Sequence, residues 1–307
     1  MNARVKGFAY GATAAASYGL NPLFALPLYA VGMNTDSVLF YRYFFALLMM
    51  GVLMKLKGES FALRRADILP LAVMGLLFSS SSLFLFESYN YMDAGIASTL
   101  LFIYPLLVAI IMAVFFHEKV SVVTGLSIGL ALWGISMLYQ GGDGTTLNLT
   151  GVLFVFLSSL TYAIYIVGVN RSSLREFSTV KLTFYALLFG ILIYVVRLDF
   201  CTELQPIPEP IYYINAVSLA LFPTIVSLVT MAQAIHYIGS TPTAILGALE
   251  PVTALFIGVL VFDERLTPRI AFGVFLILVA VTLIVAFRPL LATAKKYVQV
   301  HRHRIFH

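Results

Sequence analysis

Ten apolar segments, each about 20 residues long, alternate along this chain with short polar connections. A helix of about 20 apolar residues crosses the roughly 30 Å hydrocarbon core of a bilayer. The pattern therefore predicts ten transmembrane helices and an all-α integral membrane protein. We place the first five at about 7–28, 35–55, 67–90, 95–116 and 121–139. The second five are placed at about 150–170, 178–197, 211–236, 241–262 and 267–287.

The two sets of five segments are similar to each other. The stretch 95–121 matches the stretch 241–267 at one constant shift of 146 residues. The matched pairs include Leu100 with Leu246, Pro105 with Pro251, Ile111 with Ile257, Phe116 with Phe262 and Glu118 with Glu264. So many matches at one shift indicate an internal duplication. Because each copy has an odd number of crossings, the second copy enters from the opposite side, which predicts two five-helix inverted-topology repeats.

The distribution of Lys and Arg predicts the orientation. If the N-terminus is cytoplasmic, the loops and ends on that side hold 15 basic residues and the other side holds three. Such an excess is typical of the cytoplasmic side, so both termini are predicted to be cytoplasmic. The first repeat is expected at 5–140, the second at 148–288, and a basic cytoplasmic tail at 289–307.

Composition excludes several classes of protein. The chain is 61% hydrophobic and 11% charged, whereas a soluble domain is about 25% charged. The net charge of +5 comes from residues between apolar segments, so we predict no nucleic-acid partner. The single cysteine excludes a disulfide within the chain. We find no serine-hydrolase, zinc-protease or phosphate-loop motif, and therefore predict no catalytic residue, no metal site and no cofactor.

Polar side chains within the membrane are the candidates for a binding site. A charge at the centre of a membrane helix costs about 2.5–3.5 kcal/mol, and such residues normally face an interior cavity. The candidates for the cavity are Tyr18, Asn21, Glu87, Asn90, Tyr104, Tyr162, Gln233, His236 and Glu250. In the alternative, these groups satisfy one another in helix packing, and Glu250 or Arg42 is half of a buried ion pair.

The duplication pairs several of these candidates. At the shift of 146, Glu87 matches Gln233, Asn90 matches His236 and Tyr104 matches Glu250. Inversion would place the group around Glu87 and the group around Gln233 toward opposite ends of a central site. That arrangement is typical of two gates around one cavity.

The paired prolines are predicted to interrupt their helices. Pro105 and Pro251 each remove an amide donor and free the carbonyl four residues earlier, at Leu101 and at Gly247. These carbonyls either accept hydrogen bonds from a substrate amine or belong to a structural kink without a ligand.

The paired acids at the hairpin ends have a structural interpretation. Glu118 and Glu264 are expected to cap helices or to pair with the neighbouring Lys119 and Arg265. The threonine after the second acid, Thr267, has the position of a helix N-cap.

The motifs in these two stretches resemble a known family. A proline followed by an apolar run that ends in a glutamate and a basic residue occurs twice, as Pro105…Glu118-Lys119 and Glu250-Pro251…Glu264-Arg265. This pattern resembles the paired EamA domains of the drug/metabolite transporter superfamily. The Tyr18-Gly19 step is similar to the Trp-Gly step of the first EamA helix, and Arg42-Tyr43-Phe44 resembles the arginine motif of the second. The resemblance covers nearly all of the chain.

The resemblance implies a ten-helix carrier in a bacterial or archaeal inner membrane that exports amino acids or similar small metabolites. It also implies a central cavity lined by helices one, three, four, six, eight and nine. We therefore expect a secondary transporter that works by alternating access, with a small-molecule substrate and the lipid bilayer as partners. Proton coupling would use Glu250 and Glu87, and the protein would be a monomer or a homodimer. The alternatives are a passive channel or facilitator and an intramembrane enzyme.

Overall fold

The computed structural model describes residues 3–117, 122–139, 148–283 and 285. Every regular element within these residues is helical. The α-helices are α1 (Ala3–Gly19), α2 (Asn21–Ala30), α3 (Thr35–Leu56), α4 (Arg65–Ser88), α5 (Ala94–Leu101), α6 (Tyr104–Phe116), α7 (Val122–Tyr139), α8 (Leu149–Arg171), α9 (Thr179–Arg197), α10 (Tyr212–Ala220), α11 (Ser227–Ile238), α12 (Ser240–Leu246), α13 (Leu249–Val261) and α14 (Pro268–Leu283). A 3-10 helix occupies Ser173–Glu176, and a π-helical segment at Leu221–Val226 joins α10 to α11.

Six helical stretches are long and apolar enough to cross a membrane. They are Thr35–Leu56, Arg65–Ser88, Ala94–Phe116, Leu149–Arg171, Thr179–Arg197 and Tyr212–Ile238. The helices α7, α13 and α14 are also apolar but shorter. The chain is thus an all-helical membrane protein, while the number of ten crossings stays a prediction.

Both paired prolines lie where a helix is interrupted. The chain leaves the helix between α5 and α6 at residues 102–103, and Pro105 lies in the first turn of α6. It leaves the helix again between α12 and α13 at residues 247–248, and Pro251 lies in the first turn of α13. A proline fits the first turn because the amide it lacks has no partner there. Both helices are therefore interrupted beside the prolines that were expected to kink them.

The two halves of the sequence pack against each other. Helix α1 packs against α11 and α13, α3 packs against α9 and α10, and α4 packs against α8 and α9. Helix α5 packs against α13, so the two interrupted spans also meet. The buried core therefore lies largely between the halves and not within each one.

Serines join α4 to its neighbours. The hydroxyl groups of Ser81 and Ser158 lie 3.1 Å apart, and Ser158 also donates to the carbonyl of Ser81 at 2.7 Å. Tyr43 donates to the hydroxyl of Ser82 at 2.9 Å. Small side chains with hydroxyl groups allow close helix approach and hydrogen bonds in an apolar solvent.

Candidate functional site

A cavity of about 310 Å³ lies next to the helix interruptions, between the two halves. Its volume is at the lower end of the range for small-molecule pockets. Residues from α1, α3, α4, α5, α6, α8, α11, α12 and α13 and from the π-helical segment line it. The polar and aromatic lining residues are Tyr18, Arg42, Phe78, Tyr104, Tyr162, Thr224, Ser227, Thr243 and Glu250.

Two residues of opposite charge face this cavity. Glu250 lies in the first turn of α13, and its position follows from the helix break that precedes it. Arg42 projects from α3, is 4% exposed, and has its guanidinium carbon 5.1 Å from the ring centre of Phe86. Among the described residues, neither side chain forms an ion pair. The alternative in which Arg42 or Glu250 is half of a buried ion pair is therefore not realised in this structure.

Aromatic side chains form one wall of the cavity. The rings of Tyr104 and Tyr162 meet edge to face with their centres 4.8 Å apart, and Phe78 lies 6.5 Å from Tyr162. The Tyr18 hydroxyl interacts electrostatically with both Arg42 and Glu250. The cavity thus places an apolar aromatic surface beside two separate charges.

The freed carbonyls have partners within the protein. The hydroxyl of Ser159 lies 3.2 Å from the carbonyl of Leu101 and 2.9 Å from the carbonyl of Val155 in its own helix, so these two carbonyls share one donor. The carbonyl of Gly247 accepts from the amide of Glu250 at 3.0 Å. Donors within the protein thus lie at both breaks, one from α8 and one from α13, which agrees with the alternative of a structural kink without a ligand.

Five predicted cavity residues lie elsewhere. Glu87 and Asn90 are at one end of the bundle, where the Asn90 amide donates to Glu87 at 3.3 Å and Arg197 lies 3.9 Å from Glu87. Gln233 and His236 are exposed and do not line the cavity, because α11 turns other residues toward it. Asn21 is buried in the first turn of α2 and donates to the carbonyl of Tyr18 at 2.9 Å.

The cavity differs at its two ends. At the end that contains Gly95 and Glu264, α5 packs directly against α13. Toward the other end, Met231 and Ile235 line the cavity from α11 and are nevertheless 37% and 45% exposed. The cavity is therefore closed by helix packing at the Glu264 end, and α11 covers its opposite side less completely.

Glu264 is a helix cap, as predicted, but for a helix of the other half. Its carboxylate accepts hydrogen bonds from the amides of Ala94 and Gly95 at 2.8 and 3.1 Å, at the N-terminus of α5. Glu118 lies outside the described residues. The predicted N-cap at Thr267 is confirmed, since its hydroxyl accepts from the amide of Ile270 at 3.3 Å.

Sequence reasoning missed several lining residues. In the sequence, no residue next to Phe78 or Thr243 distinguishes them from residues that only pack between helices. Thr224 and Ser227 line the cavity at the π-helical segment, which often marks a functional site. The signal for that segment was Pro223, a proline inside an apolar run. Within the described ranges, no group of three His, Cys, Asp or Glu residues is arranged to hold a metal ion.

An all-helical membrane bundle with an internal duplication and a polar cavity between its halves has the architecture of a membrane transporter. The model of the EamA-like transporter family matches residues 5–140 and 149–286, so two copies cover most of the chain. The chain belongs to the EamA family of the drug/metabolite transporter superfamily, and it is a multi-pass membrane transporter. The matches point to a transporter family and not to a family of enzymes.

Relatives from bacteria and archaea are similar along much of the chain. A protein of Archaeoglobus fulgidus named as an uncharacterized transporter is 30% identical over 77% of this chain and 82% of its own length. A Synechocystis protein named as an uncharacterized transporter is also 30% identical, over 65% of this chain and 61% of its own length. A solved crystal structure is similar with a TM-score of 0.65 at 17% identity, over 92% of this chain and 98% of that one. This last likeness supports the fold alone.

Proposed function

We propose that this protein is a secondary transporter that moves small zwitterionic metabolites, in particular amino acids, by alternating access. The observation that carries the proposal is that Arg42 and Glu250 line one small cavity and form no ion pair with each other or with another described residue. A buried charge needs a partner. The carboxylate of a bound amino acid would meet Arg42, and its ammonium group would meet Glu250.

The aromatic wall supports an apolar or aromatic side chain on the substrate. Tyr104, Tyr162 and Phe78 offer ring faces and edges beside the two charges. A phosphorylated substrate is disfavoured, because Arg42 is the one Lys or Arg among the described lining residues.

The topology completes the proposal. Ten crossings in two inverted repeats, with both termini in the cytoplasm, would place the Glu264 end at the outer face of the cytoplasmic membrane. The packed end of the cavity would then be closed to the outside, as in the state that loads an exporter from the cytoplasm. Exchange of this state with its inverted counterpart would release the substrate outside, with a proton moving through Glu250 as the coupling step.

Counterflow in proteoliposomes tests this function. Vesicles loaded with unlabelled leucine should accumulate labelled leucine faster than empty vesicles, as a carrier does and a passive channel does not. N-acetyl-leucine, which lacks the ammonium group, and isoamylamine, which lacks the carboxylate, should compete at least about tenfold less well, the loss expected for one charge-assisted hydrogen bond.

Variants connect the result to the cavity. Arg42→Met and Glu250→Gln should each weaken leucine counterflow by about tenfold or more. The matched control is Glu203→Gln, in an exposed loop outside the cavity. If correctly inserted protein moves none of a panel of amino acids, or if the two analogues compete as well as leucine, the proposed substrate class is wrong.

A further inference from the structure

Between α5 and α13, beyond the closed end of the cavity, a slot fits one side chain. A Cβ atom placed on Gly258 would lie 2.0 Å from a carboxylate oxygen of Glu264, and one on Gly95 would lie 2.8 Å from the same oxygen. Any other residue at these two positions would occupy the space of the carboxylate. The slot is therefore formed by two glycines, Gly95 of α5 and Gly258 of α13, and Glu264 fills it.

The contacts of Glu264 join the two halves of the protein. The side chain starts in the loop after α13 and ends on the first two amides of α5. Charge-assisted bonds of a carboxylate to backbone amides at a helix N-terminus are among the stronger hydrogen bonds in proteins. Separation of α5 from α13, which would open this end of the cavity, breaks both bonds and brings the carboxylate into water.

A second carboxylate lies near Glu264. Asp93 precedes α5 and acts on Glu264 electrostatically. In its own loop Glu264 is flanked by Asp263 and Arg265, and Arg269 lies in the first turn of α14. The part of α13 that forms this end contributes no titratable side chain. The negative charge of Asp93 disfavours a second negative charge in the closed slot.

We propose that Glu264 is the latch of this cavity end and that closing the latch takes up a proton. The latch consists of Glu264, the slot glycines Gly95 and Gly258, and the amides of Ala94 and Gly95. A protonated carboxyl group fits the same slot, since its carbonyl oxygen still accepts from an amide. It also no longer repels the negative charge of Asp93. Acid therefore favours the closed end and base favours the open one.

The direction of this effect follows from the pKa of Glu264. Burial and then the charge of Asp93 raise its pKa from 4.5 to about 7, although the two amide hydrogen bonds act in the opposite direction. In the open state the carboxyl group would be in water and near its ordinary value. The state with the higher pKa is the one that protons stabilise, so closure is favoured as the pH falls through the window between about 7 and 4.5.

The sequence predicts the latch at one end alone. At the repeat shift of 146 residues, Glu264 matches Glu118, but Gly95 matches Thr241 and Gly258 matches Met112. The counterpart of the slot thus has side chains where the latch needs glycine. This difference would make the two ends of the carrier respond differently to pH.

Thiol labelling from one side of the membrane measures the latch without a substrate. The inference rests on the proposed alternating access, but the readout needs no transport, so the two can fail separately. The probe position is Ser98→Cys, a 5% exposed site on α5 between the latch and the cavity, in a Cys201→Ser background. The unsubstituted protein, labelled at its native Cys201 in a loop, is measured separately and corrects for the effect of pH on thiol reactivity. A membrane-impermeant thiosulfonate is added to the side that contains Glu264.

We expect the corrected labelling rate to fall by about tenfold between pH 8.5 and pH 5.5. Glu264→Gln, a neutral side chain of the same shape, should label slowly at every pH. Gly258→Ala, which blocks the slot, should label fast at every pH. Asp93→Asn should move the midpoint to lower pH, because it removes a charge that raises the pKa of Glu264. If Glu264 had only a structural role, Asp93→Asn would not move this midpoint.

The matched control is Gly129→Ala, because a Cβ at Gly129 meets no atom within 4 Å. It should keep the pH profile of the parent. The inference is overturned if the parent labels at a rate independent of pH after correction. It is also overturned if Glu264→Gln and Gly258→Ala change the rate in the same direction, or if Asp93→Asn leaves the midpoint in place.

Discussion

Gly19 is the residue at which packing and the proposed binding site are most directly connected. It ends α1 next to Tyr18, and a Cβ atom there would lie 2.5 Å from the carbonyl oxygen of Glu250 and 2.7 Å from the Cβ of Thr253. Ordinary contact begins at 3.4 Å, so Gly19→Ala requires α1 and α13 to separate by about 0.9 Å. The obstacle includes backbone, which does not rotate away as a side chain would.

The change in stability expected for Gly19→Ala has two parts. Overpacking of this kind costs about 1–3 kcal/mol, offset in part by about 0.5–1 kcal/mol from the better helix propensity of alanine. We expect the apparent melting temperature in detergent to fall by about 2–8 °C. Because α13 carries Glu250, the shift should also weaken leucine binding by about tenfold, since it distorts one charge-assisted contact.

The control is Gly51→Ala in α3, where a Cβ would lie 3.4 Å from the ring of Phe184, an ordinary distance. This variant should match or slightly exceed the parent in melting temperature and match it in leucine counterflow. Melting is followed by intrinsic fluorescence and binding by the half-saturating leucine concentration. If Gly19→Ala behaves like Gly51→Ala in both assays, the close approach of α1 to α13 does not position Glu250, and the reasoning is refuted.

Two further substitutions test the packing around the site by the same melting assay. Gly134→Ala should cost about 1–3 kcal/mol, because its Cβ would lie 2.8 Å from the carbonyl oxygen of Gly273, whereas Gly129→Ala on the same helix should be neutral or stabilising by up to about 1 kcal/mol. Equal melting temperatures for these two variants would contradict the packing of α7 on α14. Ser159→Ala should cost about 0.5–1.5 kcal/mol, because the buried carbonyl of Leu101 loses a donor that it shares with the carbonyl of Val155. A change within 0.5 kcal/mol, as expected for a surface site, would show that the donor is dispensable.

The fold class and the existence of a cavity could be predicted from the sequence because they depend on composition and on the duplication. Apolar runs of this length form helices that cross a bilayer. A proline repeated at the same shift predicted both helix interruptions. These interruptions place Tyr104 and Glu250 at the cavity, where the sequence had placed them.

The location of other polar residues could not be predicted, for a physical reason. In a membrane the apolar residues that face lipid and those that face the protein core are alike, so hydrophobic periodicity does not identify the inner face of a helix. Gln233 and His236 matched Glu87 and Asn90 along the chain, yet the rotation of α11 about its axis places them away from the cavity. That rotation is set by packing against α1, which is more than 200 residues away in sequence.

The sequence by itself determined that this protein lies in a lipid bilayer, that its chain is duplicated and to which family it belongs. Each of these depends on residue type and spacing. The tertiary structure decided which groups meet: that Arg42 and Glu250 share a cavity without pairing, that Ser159 contacts the carbonyl freed by Pro105, and that Glu264 caps a helix of the other half. These groups lie between 58 and 208 residues apart in the chain. They depend on the distances and rotations of packed helices, which local sequence patterns do not specify.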